Sequence, residues 1–139
     1  MVALNTARST LERAGVYLAP GVAANAVIFQ GALVCLNASG FAVPGAVAAT
    51  LTAVGRAEES VTGTATAGEA KAEVKAGVYR WANSTAADLI TIADIGKDCF
   101  VLDDQTVART NPGGNTRSRA GVVVDVETLG VWVRTGARS

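Results

Sequence analysis

The sequence predicts an all-β protein: one small β-barrel or sandwich with an extended N-terminal arm and one or two very short helices. Three observations carry this. Half of the 139 residues are hydrophobic and 17% are charged, so the chain is neither disordered nor too short to bury its own core. The apolar runs are short, and clusters of Gly, Pro and Asn punctuate them. Helix signals are few and brief.

Residues 1–25 read as an arm and residues 26–139 as the β domain. In the arm, Ser9 and Glu12 have the spacing of a capping box, but Gly15 stops any helix early and Pro20-Gly21 breaks the chain again. So short a helix has little stability of its own in water. Ala26–Gln30 and Ala32–Leu36 are apolar runs, and Asn37–Gly40 is a hairpin turn before Phe41–Val43. Thr50–Ala57 is β-rich. Ser60–Gly68 has no bulky anchor and is expected to be an exposed, mobile loop.

Lys71, Glu73 and Lys75 alternate with Ala72, Val74 and Ala76, which marks a half-buried strand. That register puts Tyr79 and Trp81 on the charged side, unless a bulge at Gly77 turns them. Ala93–Gly96 reads as one helical turn. Cys99–Leu102 and Thr106–Arg109 read as strands on either side of an Asp103-Asp104 turn. Asn111–Asn115 is the strongest loop signal. Val122–Val126 and Val131–Arg134 form a hairpin.

Several chemistries are disfavoured. There is no histidine, which removes the commonest general base and the commonest zinc ligand. Glu58-Glu59 and Asp103-Asp104 are adjacent pairs, and adjacent strand residues point to opposite faces. Serine and threonine lack an evident base, and Gly113-Gly114 lacks the rest of a phosphate-binding loop. No cofactor, no metal and no enzymatic activity are therefore expected. Twelve basic and twelve acidic residues cancel, so no nucleic-acid partner is expected either. The uncharged span 14–55 is too interrupted by Pro, Gly and Asn for a membrane helix, and the first residues lack a secretory pattern.

Cys35 and Cys99 fit no CxxC pattern. A single disulfide is open to them, and two buried thiols in a reducing compartment is the preferred reading. Arg109, Arg117, Arg119, Arg134 and Arg138, against Asp125 and Glu127, make the C-terminal stretch from Arg109 onward locally basic. With Trp132 as the one aromatic there, this favours a protein contact over a nucleic-acid platform.

The chain as a whole resembles the capsid decoration, or cement, proteins of tailed phages and prophages. The likeness runs from Asn5 to Arg13, through FQGALVCLNASGFAVPG (29–45), VGRAEESV (54–61) and GVYRWANS (77–84). It continues with ITIADIGKDCFVLDDQTVART (90–110) and AGVVVDVETLGVWV (120–133). IGKDCFVLDDQTVA is the most distinctive block. Relatives often carry an acidic, Asn/Gly-rich turn where this chain has Val61–Gly68.

The resemblance implies a β-tulip-like domain that binds the outside of a phage capsid and reinforces the shell. Its partners would be the major capsid protein and further copies of itself, with a homotrimer the first expectation and a dimer the second. It would be made in the bacterial host cytoplasm and reside on the virion exterior. The residues expected at the capsid or subunit interface are Leu4, Arg8, Leu11, Arg13, Val16, Tyr17 and Leu18 of the arm, with Trp132 and Arg134 on the domain. Another virion component, in tail or head completion, and a stand-alone ligand-binding β-barrel are the alternatives.

Overall fold

Inward-facing Trp81, Val123, Val131 and Val133 alternate with outward-facing neighbours in the second half of the chain, which holds its two longest strands, and these set the architecture. The computed structural model describes residues 2–11, 13 and 15–136. In chain order the strands are β1 (Tyr17–Leu18), β2 (Val27–Ile28), β3 (Leu33–Leu36), β4 (Ala42–Pro44), β5 (Thr52–Ala57) and β6 (Val61–Thr62). They continue with β7 (Val74–Lys75), β8 (Gly77–Asn83), β9 (Asp98–Val101), β10 (Thr106–Ala108), β11 (Arg119–Glu127) and β12 (Gly130–Thr135). The all-β class holds.

The second half closes into a barrel in the order β10-β8-β12-β11-β9. Antiparallel pairs make most of it, and the parallel pair β8·β10 with the antiparallel pair β9·β10 closes it. Because no strand edge is left over in the barrel, its backbone groups are satisfied internally. The first half forms a sheet in the order β1-β7-β5-β3-β4, with β2·β6 as a separate two-stranded ribbon.

Two apolar clusters follow from this layout. One fills the barrel with Trp81, Ile90, Val101, Val107, Val123, Val131 and Val133, joined by Leu33 and Cys35 from the first sheet. The other lies on the first half and holds Val22, Ile28, Val34, Ala42, Ala57 and Val74. β3 serves both, since alternate residues point to opposite faces. Both cysteines are buried free thiols, and burial pushes each up to about 12.

The chain changes sheets at Ala76–Gly77, between β7 and β8, so the alternation restarts there. As a result Val78 is turned outward and Trp81 is buried, with its indole N–H donating to Thr135 Oγ1 at 3.0 Å. The change of sheet, and not the expected bulge, turns Trp81 inward, since β8 pairs with β12 in unbroken register from Gly77 on.

Three expectations need correction. First, the arm does not extend to residue 25. Tyr17 and Leu18 pair with Lys75 and Val74, Gly21 bridges to Lys71, and Val22 is fully buried. The domain therefore begins near Val16, because an apolar Val22 flanked by backbone-paired Gly21 finds a place in the core. Second, Ser9, Thr10 and Leu11 are irregular rather than helical, and Glu12 lies outside the described residues. Third, Ser60–Gly68 is not wholly a loose loop: Val61 and Thr62 pair with Ile28 and Val27, and Gly63 is buried.

Candidate partner-binding surface

Large apolar side chains that the fold leaves in solvent are the most informative feature of the surface. In the arm Leu4 is 72% exposed and Leu11 is 95% exposed, with Val2 and Val16 also exposed. Arg8 and Arg13 are exposed as well. Tyr17 and Leu18 form the edge strand of the first sheet and remain exposed, with the Lys75 ammonium 5.5 Å from the Tyr17 ring centroid. The structure thus gathers the seven arm residues on one exposed segment that ends in a paired strand.

Trp132 and Arg134 lie elsewhere, on the outer face of β12, where they pair with Arg80 and Val78 of β8. Trp132 is half-buried. The Arg80 guanidinium sits 5.8 Å over its ring and also bonds Glu127 at 2.9 Å, so Trp132 is partly covered by its own chain. Arg134 is exposed and makes no ion pair with another described residue.

The arginine-rich contact surface read from the stretch that begins at Arg109 is largely self-neutralised. Arg117 grips Asp88 with two nitrogens at 3.0 and 3.2 Å, Arg119 bonds Asp98 at 2.7 Å, and Arg109 bonds Asp94 at 3.2 Å. The three aspartates lie upstream of the counted segment, so a local charge sum missed them. Arg138 lies outside the described residues.

Sequence reasoning also missed a second apolar surface. Between β8 and β9 the chain makes two 3-10 turns, Ala86–Asp88 and Ile92–Asp94. Leu89, Ile92 and Ile95 point outward, Ile92 with 74% exposure, while Ile90 is buried. Polar groups hold this segment from within. Asn83 Nδ2 donates to the Ile90 carbonyl at 2.9 Å, and Asn83 Oδ1 accepts from the Ile90 amide at 2.9 Å.

Asp94 accepts from the Thr91 amide at 2.9 Å, and this bond, with the Arg109 guanidinium, holds its carboxyl below the usual carboxylate range. Hydrogen bonds from Arg117 and Thr110 do the same for Asp88. Hydrogen bonding to the charged form favours that form. The Thr-x-x-Asp pattern of residues 91–94 was the available signal.

Two open clefts are of comparable size. One, of about 360 Å³, is lined by Phe29, Gln30, Asp104 and Gln105. The other, of about 350 Å³, lies beside β1 and β5 and is lined mainly by Leu18, Leu51, Ala53, Val54 and Arg119. Neither holds a nucleophile paired with a base. The buried hydroxyls of Ser84, Ser118 and Thr135 donate to the carbonyls of Val107, Ala48 and Val133.

Among the described residues no three His, Cys, Asp or Glu side chains cluster as a metal site. No described helix is long and apolar enough to cross a membrane. No family model, curated protein or solved structure matches the chain.

Proposed function

We propose that this protein is a non-enzymatic structural component of a phage virion that binds the outer surface of the capsid and clamps neighbouring major capsid protein subunits. The observation that carries the reading is the arm: an irregular segment with Leu4 and Leu11 in solvent, attached through β1 to the first sheet of a domain whose second half is a closed, well-filled β-barrel. Exposed apolar residues on an otherwise satisfied domain mark contacts with another protein. The whole-chain resemblance to decoration proteins supplies the partner. Leu89, Ile92 and Ile95 add a second, rigidly framed contact surface.

The mechanism is multivalent. Each contact is weak, but subunits linked to one another engage several capsid sites together, so avidity exceeds the single-site affinity by a factor on the order of 10²–10⁴. A homotrimer suits local threefold positions of a shell, and a dimer is the second choice. The protein would be made in the host cytoplasm and act on the capsid exterior, with no nucleic-acid or membrane partner.

The test is co-sedimentation of purified protein with empty shells assembled from the major capsid protein, expanded and unexpanded. Saturable binding to expanded shells, together with a higher shell melting temperature, is the expected result. Protein that stays in the supernatant with both kinds of shell overturns the proposal.

A further inference from the structure

The cleft beside β1 and the exposed arm are unsatisfied in complementary ways. β7 pairs with β5 at Arg56 and Ala57, Lys75 packs closely on Gly55, and Gly136 packs on the Val54 carbonyl, so the edge of β5 opposite β3 is open at Thr52 and Ala53, which have no backbone partner there among the described residues. That open edge borders the cleft of about 350 Å³, which Leu18, Leu51, Ala53 and Gly136 also line. Its one cation, Arg119, is already bonded to Asp98 at 2.7 Å. The Leu51 amide donates to Ser118 Oγ at 3.0 Å and fixes this wall. The arm has the opposite character: Val2, Leu4 and Leu11 are in solvent, and no described residue from 2 to 11 has a backbone hydrogen bond to the domain.

We propose that the cleft between β1 and β5 receives the arm of a second copy of this chain, which adds its backbone to the open edge of β5 at Thr52 and Ala53 and seats an arm leucine against Leu18 and Leu51. Strand addition of this kind takes affinity from main-chain hydrogen bonds and specificity from side-chain pockets.

Three observations favour a second copy as the occupant. The arm's own domain leaves the arm leucines exposed. The stretch before Val16 spans roughly 45 Å when extended, against a radius of gyration of about 14 Å for a domain of this size, so it reaches a neighbour. The cleft also lies at the arm's own root, since Leu18 lines it. Each subunit therefore gives an arm from the same corner at which it accepts one. Such a head-to-tail contact is heterologous and closes into a ring when the rotation allows.

This deepens the proposed function by naming what links the subunits, and its test needs no capsid. Light scattering coupled to size exclusion is run on the full chain, on a variant lacking residues 2–15, on the double variant Leu4→Asp/Leu11→Asp, and on Thr52→Arg. Thr52 is exposed at the cleft, and both leucines are in solvent, so these substitutions leave the core untouched. The full chain is expected to elute at a multiple of 14.1 kDa and all three variants at the mass of one chain, with unchanged thermal melts.

A monomeric full chain overturns the inference, as does an oligomer that keeps its mass in the Leu4/Leu11 variant. An oligomer lost in that variant but retained in Thr52→Arg overturns the cleft assignment, because the arm then docks on another face. The two proposals fail separately. Monomeric protein that binds shells refutes only the arm exchange, and an arm-linked oligomer that ignores shells refutes only capsid binding.

Discussion

Trp81 shows how a single buried side chain ties the barrel together. Its indole N–H has one partner, Thr135 Oγ1, across the β8·β12 pair, and Thr135 in turn donates to the Val133 carbonyl. Thr135→Val preserves shape but leaves a buried donor unsatisfied, at a cost of about 1–3 kcal/mol. Urea unfolding of Thr135→Val beside Thr135→Ser reads this, with the serine variant closer to the parent. The cysteines behave as small apolar residues. With both thiols buried and pushed up to about 12, almost no thiolate exists at pH 8. Labelling of native protein by a thiol reagent is expected to be slow, limited by unfolding, and complete on adding denaturant. Gly121 is needed for a different reason: a Cβ there would collide with the Arg134 carbonyl across the β11·β12 pair. Gly121→Ala is expected to destabilise the fold by about 3 kcal/mol through overpacking.

The segment between β8 and β9 is held by ionised carboxylates, so its stability depends on pH. Asp88 and Asp94 have folded pKa values below their unfolded value. In the acid range the unfolded chain therefore binds more protons, and stability rises with pH there. The contribution is fully present at neutral pH and is lost as pH falls through the folded values. Melting curves from neutral to acid pH are expected to fall across the carboxylate range, and the Asp94→Asn variant is expected to show a lower neutral melting temperature and a shallower fall. The same segment marks where sequence reading stops. The β11·β12 hairpin, the Asn37–Gly40 turn and the strand at Cys99 were legible because turn chemistry and alternation are local signals. At that turn Asn37 Oδ1 accepts from the Ser39 and Phe41 amides. The Asn111–Asn115 loop was legible for the same reason: Gly113, Gly114 and Asn115 all take positive φ. By contrast, the parallel β8·β10 pair, the Asp88–Arg117 grip and the pairing of Val61 with Ile28 join residues far apart in the chain. No local pattern encodes them. The capping-box spacing at Ser9 misled because forming a first helical turn is unfavourable without tertiary packing, and exposed Leu11 has none.

The whole molecule divides into a β domain and an N-terminal segment with no described backbone bond to it, and the division falls at Val16 because backbone pairing begins there. The Ala76 amide donates to the Val16 carbonyl at 2.7 Å, and β1 follows. Beyond it the chain is increasingly committed: the Ala72 amide bonds the Pro20 carbonyl at 2.9 Å, the Ala42 amide bonds the Gly21 carbonyl at 2.7 Å, and the Val22 amide bonds the Ala70 carbonyl at 2.8 Å. Val22 is fully buried beside Ile28, Val34 and Val74. Two truncations separate these regions. Removing residues 2–15 deletes no described backbone hydrogen bond to the domain and no core side chain, so the thermal melt is expected to match the parent while subunit or shell attachment weakens. Removing residues 2–23 also strips β1, the bridges of Gly21 and Val22, and a buried valine. Loss of that side chain alone costs about 2 kcal/mol in apolar burial, before the cavity it leaves is counted. The second truncation is therefore expected to melt well below the first or to fail to fold. If both melt alike, residues 17–22 belong to the arm and the domain boundary is wrong. If the shorter truncation already melts low, the segment before Val16 is part of the folded unit, and its exposed leucines are not free to reach a partner.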